Sequence, residues 1–407
     1  MSQLSFNLPL LRHPAIRRAW EQLAIATNWP VIVAVSVLST LGVISIWADR
    51  RPDGSSDGPK QLIFLVIAVI GMFAFQAVDY RKIGRYAWGF YLFSLVLLLY
   101  TALPGMPRSG FGSVPVRNGA HAWIDFKVMS LQPAELTKIA FILVLARYLR
   151  YRSNYRTLKG LLAPFALAVV PVAMILKQPD LGTALTFIPV LFAMLFVAGA
   201  KISHLLAIVG MGLALVPVAW LSGTDLPVFR HMPTIVKDYQ RARVYAMFSD
   251  DPAMRQSFGF QIDLAHMAMG SGGVSGKGFG NVPVGTRVPE SHNDMILALI
   301  GEQFGFFGCL VVLGAYIVLF TAGVEIAGNT REPFGRLIAL GIVALLAGQA
   351  FINLMVVTKL MPVTGVTLPF ISYGGSSLLA SYLAAGLLLN VGQNRPVVLA
   401  RDSFEFD

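Results

Sequence analysis

The strongest constraint on this chain is a succession of apolar runs, each about as long as a lipid bilayer is thick. A hydrocarbon core of ~30 Å is crossed by about 20 helical residues. Ten such runs fall near residues 30–47, 61–78, 86–103, 133–149, 161–176, 180–199, 203–221, 294–324, 334–357 and 372–393. The fourth opens at Pro133, which suits a first helical turn, and the polar break Lys177-Gln178-Pro179-Asp180 divides the fifth from the sixth. The expected fold is all-α: a polytopic membrane protein of about ten transmembrane helices forming a single domain over 1–407. One long extracytoplasmic loop, 222–293, separates helices 7 and 8.

Composition agrees. Hydrophobic residues make up 56% of the chain and charged residues 13%, with mean hydropathy +0.66, whereas soluble domains carry about 25% charge. The lone cysteine, Cys309, cannot form an internal disulfide, so cysteine usage marks no redox compartment. A net charge of +11 would suit nucleic acid. Here the basic residues instead flank apolar runs, as topology signals do, and no aromatic-interleaved basic module stands among them. Nucleic acid is therefore not an expected partner.

Charge also orients the chain. Arg12, Arg17, Arg18, Arg81, Lys82, Arg85, Arg147, Arg150, Arg152, Arg156, Lys159, Lys201, Arg331, Arg336, Arg395 and Arg401 fall on one side of the ten spans. They outnumber the basic residues of the short loops opposite: Arg50, Arg51, Lys60, Arg108, Arg117, Lys127, Lys177 and Lys359. That bias puts both termini in the cytoplasm and 222–293 outside. The mixed, basic N-terminus lacks a cleavable signal, so the first helix is read as retained. Within the loop, 236–248 reads as an amphipathic helix on the outer leaflet. Lys237, Arg241 and Arg243 would face phosphates, and Val244, Met247 and Phe248 would face lipid.

The chemistry-bearing residues gather near helix mouths. Asp294 opens the eighth span, where a carboxylate costs roughly 2.5–3.5 kcal/mol at a helix centre and less at the interface. It reads equally as a functional acid and as a helix cap favoured by the dipole. Glu135 and Lys138 stand three apart on one helix face, a spacing that suits a structural ion pair or an organised polar cavity. Asp180 reads as a cap of the sixth span. The run Gly270–Gly278 fails the Walker pattern, since Ser271 takes a glycine position and Gly278 follows Lys277. It reads as a flexible loop, with an anion nest around Lys277 as the weaker alternative. The stretch Thr364–Ser377 is apolar yet broken by glycine and proline, so it must be shielded by protein or line a polar cavity. Histidines 121, 231, 266 and 292 are scattered, and no HExxH or Cys/His cluster supports zinc chemistry.

Taken together, the ordered motifs resemble the SEDS family, the RodA, FtsW and SpoVE peptidoglycan polymerases. The matching runs are Asn118-Gly119-Ala120 with Trp123-Ile124, Gln132–Lys138, Gln178–Thr183, Tyr239-Gln240 with Arg243, Gly270–Gly278, Pro289–Asp294, Gly305–Gly308 and Thr364–Ser377. The forms around Asp180 and Lys277 look most like RodA, the elongation and cell-shape branch. Three motifs depart from the family pattern: Asn293 and Met295 flank the aspartate, Gln303 follows Glu302, and His121-Ala122 stand in place of a basic residue.

The resemblance implies a bacterial inner-membrane glycosyltransferase that joins lipid II into β-1,4 glycan strands on the outer face, with inversion at the donor sugar. It implies that Asp294 is the catalytic acid, with Glu135, Lys138, Asp180, Arg243, Lys277, His292 and Glu302 as substrate-binding or supporting residues. A divalent cation, magnesium or manganese, is a candidate cofactor. Expected partners are lipid II, the undecaprenyl-pyrophosphate-linked strand, membrane lipids and a class B penicillin-binding protein. A precursor flippase, a non-catalytic transpeptidase scaffold and a division-type role stand as alternatives. A flippase would spread charge through the bilayer, whereas these motifs lie at outer helix ends.

Overall fold

The computed structural model describes residues 28–394 except 50–55, 104, 108, 111, 118, 127–128, 153, 225, 227 and 249–258. Arg12, Arg17, Arg18, Arg395 and Arg401, which carry the placement of the termini, lie outside the described residues, as do Arg50, Arg51, Arg108, Asn118 and Lys127.

The chain is an all-α bundle. Helices α1 (Trp29–Ala48), α2 (Gly58–Ala77), α3 (Tyr80–Arg85) and α4 (Ala87–Ala102) lead to a two-stranded antiparallel ribbon, β1 (Ile124–Asp125) with β2 (Ser130–Leu131). Then come α5 (Pro133–Tyr151), α6 (Leu162–Lys177), α7 (Leu181–Leu185), α8 (Phe187–Ala198) and α9 (Ile202–Leu221). The segment after α9 carries α10 (Asp238–Phe248) and α11 (Phe260–Ser271), and the bundle closes with α12 (Ile296–Asn329), α13 (Pro333–Val357) and α14 (Gly375–Gln393). Each of the ten expected spans falls on a helix. Among the described residues, eight spans are long and apolar enough to cross a membrane. The others are α4, at 16 residues, and α5, which carries Glu135, Lys138, Arg147 and Arg150.

Helices α5 and α14 form the centre and are buried on nearly every face. Around them α2 lies along α14, α4 and α13 along α5, and α1, α11 and α13 against α12. Two polar ends result. At one, α1 finishes while α5, α7, α12 and α14 begin. At the other, Glu332 accepts hydrogen bonds from Tyr80 and Arg81 and pairs with Arg150 at 3.0 Å. There Asn390 donates to the carbonyls of Phe75, Gln76 and Val78 and accepts from the Tyr80 N–H.

The glycine run, read from the sequence as a loose loop, is docked on α12. Helix α12 breaks at Gly305 (φ 64°, ψ −156°), and a broken helix in a membrane frees backbone groups that water cannot reach. The run supplies their partners. The Lys277 and Gly278 N–H groups donate to the carbonyls of Glu302 (2.9 Å) and Gln303 (3.0 Å), while Phe306 N–H donates to Gly273 O (2.9 Å). The Lys277 and Gly278 amides are thereby engaged by carbonyls of this chain. Glycine is required for the approach: a Cβ on Gly276 would lie 2.1 Å from Gln303 O, at φ +80°. Gly278 shares a positive φ (+95°) but has open space around it.

The left-handed backbone alone costs a non-glycine residue about 1–3 kcal/mol. Gly278→Ala should therefore lower the melting temperature modestly in detergent. Gly276→Ala should lower it further and expose the loop to limited proteolysis. Equal losses would show that the loop is not docked on the break.

Candidate active site

Asp294 lies two residues before α12, outside its helical span, and is only 7% exposed. Gln261 on α11 donates to its Oδ1 at 3.3 Å, and Asn353 on α13 donates to its backbone carbonyl at 2.7 Å. The same Asn353 amide reaches Val366 O at 2.8 Å, tying the aspartate to the irregular wall that follows α13. Burial pushes the Asp294 carboxyl up to about 7. The Glu290 charge adds to the shift, while the residue's own N–H, Arg243 and His292 oppose it. A carboxylate tuned to that range suits a general base at neutral pH.

The wall itself meets the demand that irregular backbone at membrane depth be satisfied. Ser372 Oγ accepts from Leu368 N–H at 2.7 Å, Tyr316 donates to Pro369 O at 2.6 Å, and Gln61 donates to Ser372 O at 3.2 Å. Phe370 (φ 66°) in this wall and Glu290 (φ 54°) beside the aspartate hold left-handed backbone without being glycine, the kind of strain that collects at functional sites.

Two clusters border this wall. On one side, Asp49 caps the end of α1 and accepts from Ser291 Oγ at 2.9 Å, with His292 Nδ1 3.4 Å away. Burial lowers the His292 pKa, but the hydrogen bond and charge of Asp49, with Glu290 and Asp57, outweigh it and hold the ring above its usual range. Tyr373 N–H donates to His292 O at 2.8 Å. Arg243 on α10 donates to Val363 O at 3.0 Å. Arg241 turns inward too, donating to Ser222 O and pairing with Asp238. The sequence reading that sent both arginines to lipid phosphates is thus corrected: carbonyls of this chain take them. Phe248, at the helix end, is exposed as expected.

On the other side, Lys138 Nζ meets Glu135 Oε1 at 2.6 Å, both side chains buried in the first turns of α5. Asp180 caps α7, accepting from Thr183 N–H at 3.0 Å and Thr183 Oγ1 at 2.7 Å. It also accepts from Gln132 Nε2 at 3.2 Å. Burial raises the Asp180 pKa, the Thr183 bonds and Lys138 oppose the shift, and Glu135 reinforces it. The two acids and the lysine therefore share one pocket. The wall reaches it through Ser376, whose Oγ accepts from Gln132 N–H at 3.0 Å.

Lys277 and Glu302 belong elsewhere. Lys277 Nζ pairs with Glu302 Oε1 at 2.6 Å, and Glu302 also accepts from Val284 and Gly285 N–H groups. These bonds pin the glycine loop to α12 and do not reach Asp294. Four residues of the site escaped the sequence reading: Asp49, Gln261, Glu290 and Asn353. A carboxylate ending the first span and an amide inside an apolar run were the available signals. Among the described residues, no group of three or more His, Cys, Asp or Glu could hold a metal ion.

A model of the cell cycle protein family FtsW/RodA/SpoVE matches residues 22–396. The chain belongs to the SEDS family. It is 35% identical to the probable peptidoglycan glycosyltransferase FtsW of Geobacter metallireducens, over 89% of this chain and 93% of that one. It is 34% identical to stage V sporulation protein E of Bacillus subtilis, over 89% and 96%. It is 31% identical to the peptidoglycan glycosyltransferase MrdB of Escherichia coli, over 76% and 79%. Among solved structures, a chain of a peptidoglycan synthase complex that coordinates polymerization and crosslinking superposes with TM-score 0.74 at 29% identity, covering 91% of this chain and 98% of that one. Thermus thermophilus RodA gives 0.64 at 27% identity, with 91% and 97% covered. The enzyme class read from the sequence, peptidoglycan glycosyltransferase, is the class that the FtsW and MrdB relatives carry.

In this SEDS protein, removing one member of the Glu135–Lys138 pair strands a buried charge, a change that typically costs about 3–5 kcal/mol. Glu135→Ala and Lys138→Ala should each lower thermal stability or activity strongly, and the double variant should lose less than their sum. Additive losses in that double-mutant cycle would reject the pairing.

Proposed function

We propose that this chain polymerises lipid II into β-1,4 glycan, with Asp294 as the general base. The acceptor 4-hydroxyl oxygen forms the new bond to the donor anomeric carbon and gives its proton to the Asp294 carboxylate. The bond from that carbon to the pyrophosphate oxygen breaks, and the lipid pyrophosphate departs with the electron pair. An α-linked donor then yields a β-linked product in one displacement. Arg243 and His292, whose charges bear on Asp294, are the proposed cations for the pyrophosphate side, with the Glu135–Lys138–Asp180 pocket as support. A magnesium or manganese ion would be held mainly by the substrate phosphates and one or two carboxylates, as magnesium usually is, and would neutralise the leaving group.

The observation that carries this reading is the buried, unpaired carboxylate of Asp294 at the helix mouth, in a family whose members bear the glycosyltransferase name. Transport is less well supported, because beyond Lys138 the core of α5 from Ile139 to Ala146 is wholly apolar and buried. The RodA-like motif forms favoured elongation. The FtsW and SpoVE relatives at 34–35% identity favour a division-type role instead. The neighbour in a synthase complex supports a class B penicillin-binding protein as partner, with the cytoplasmic membrane as location, both termini inside and catalysis outside.

Asp294→Asn and Asp294→Ala should abolish glycan synthesis from lipid II by purified protein, and the wild-type rate should fall as pH drops below about 7. The folded value exceeds the ordinary 3.8, so between the two the native state binds more protons and loses stability as pH rises. Asp294→Asn should therefore match wild type in melting temperature near pH 4 and exceed it at pH 8. An active Asn variant, or a rate that holds to pH 5, would remove Asp294 from the role of base.

A partner that favours the ordered site should also raise the rate. Glycan synthesis should be faster in a stoichiometric complex with a class B penicillin-binding protein whose transpeptidase serine is disabled. Equal rates and no co-purification in mild detergent would count against the partnership.

A further inference from the structure

Opposite the Asp294 end, the turn from α2 into α4 borders an open cavity of about 320 Å³ lined by Phe75, Val78, Lys82, Ile83, Tyr86 and Phe90. Its walls are almost entirely carbon, and its size reaches the lower range of ligand pockets. At its rim stands α3, which carries three cations in one turn and a half. Arg81 is engaged by Glu332 and Asp79. Lys82 and Arg85 are exposed, stand three apart on the same face, and meet no carboxylate of the described residues. Tyr86 and Trp88 next to them are exposed aromatics, the residue types that settle at the headgroup level of a bilayer.

We propose that this cavity is a binding site for one anionic glycerophospholipid, with an acyl chain in the apolar pocket and the phosphate between Lys82 and Arg85. The argument is one of complementarity. An apolar cavity that opens to a membrane fills with hydrocarbon, and hydrocarbon alone would not select among lipids. Two cations at its mouth that meet no carboxylate of the described residues do select, because a net negative headgroup supplies the charge that those residues do not. The Lys82 stem forms part of the wall while its ammonium stays outside, the posture of a snorkelling lysine. The position fits as well. This end of the bundle also carries Arg147, Arg150, Arg152, Arg156, Lys159, Arg331 and Arg336, so its leaflet is the one to which the topology signal assigns anionic lipid. None of the groups used here takes part in the proposed chemistry, which lies at the other end of the helices.

The test is native mass spectrometry of the full chain titrated with phosphatidylglycerol, phosphatidylcholine or a polyprenyl phosphate. At about 1 kcal/mol per near-surface cation, one phosphatidylglycerol should bind about 30-fold more tightly than phosphatidylcholine. Lys82→Gln with Arg85→Gln should abolish that preference and leave weak binding of both lipids. Val78→Trp, which fills the cavity, should reduce the binding of both. Lys159→Gln with Lys201→Gln, at the same end but off the cavity, should change neither. The proposal fails if phosphatidylcholine binds as tightly, if the preference survives loss of Lys82 and Arg85, if the off-cavity variant loses it equally, or if the polyprenyl phosphate displaces phosphatidylglycerol. Glycan synthesis by the Lys82/Arg85 variant, assayed in parallel, separates this site from the catalytic reading: loss of lipid preference with unchanged Asp294-dependent activity supports the lipid site alone.

Discussion

A backbone N–H or C=O that leaves a helix inside a membrane has no water to bond with, and the parts of this protein that are not straight helix are the ways it meets that constraint. The break at Gly305 is stitched by the glycine loop, whose amides and carbonyls take over from the interrupted helix. The wall between α13 and α14 is held by side chains from four helices: Gln61 on α2, Tyr316 on α12, Asn353 on α13 and Arg243 on α10. Asn353 is the junction between constraint and site, because one amide satisfies Val366 in the wall and Asp294 at the helix mouth. The position of the carboxylate is therefore set by the same bonds that make irregular backbone tolerable.

That division explains what the sequence could disclose. The spans were legible because burial in lipid demands long apolar helices whatever the tertiary arrangement, and all ten expected segments fall on helices. The need to shield 364–377 was legible for the same reason. Partner choice was not. Nothing in the run Gly270–Gly278 says that its amides meet carbonyls of Glu302 and Gln303, since that contact depends on a kink, and the helix continues past it in both directions. Arg241 and Arg243 have the spacing of an amphipathic surface helix, yet carbonyls of Ser222 and Val363 lie within their reach, and local periodicity cannot register groups brought in from distant segments. Asp180 shows the opposite case. Its capping role was readable from neighbours three residues away, while its meeting with Glu135 and Lys138 required the fold.

The buried carboxylates at the site end also differ in what holds them. Glu135 has Lys138 at 2.6 Å and Glu302 has Lys277 at 2.6 Å, so each is compensated by a bonded cation. Asp294 has a neutral amide at 3.3 Å, while Arg243 and His292 act on it only across space. A lysine in bonding contact would have favoured the ionised form and left a weak base. Burial without such a lysine gives the reverse: a carboxylate pushed up to about 7, the range that suits the general base proposed here. The Asp49–His292 contact favours the charged form of the ring, which meets the aspartate only across space. Sequence motifs alone make these acids look alike. The bonding partner separates the two held by a lysine from the one proposed here as the base.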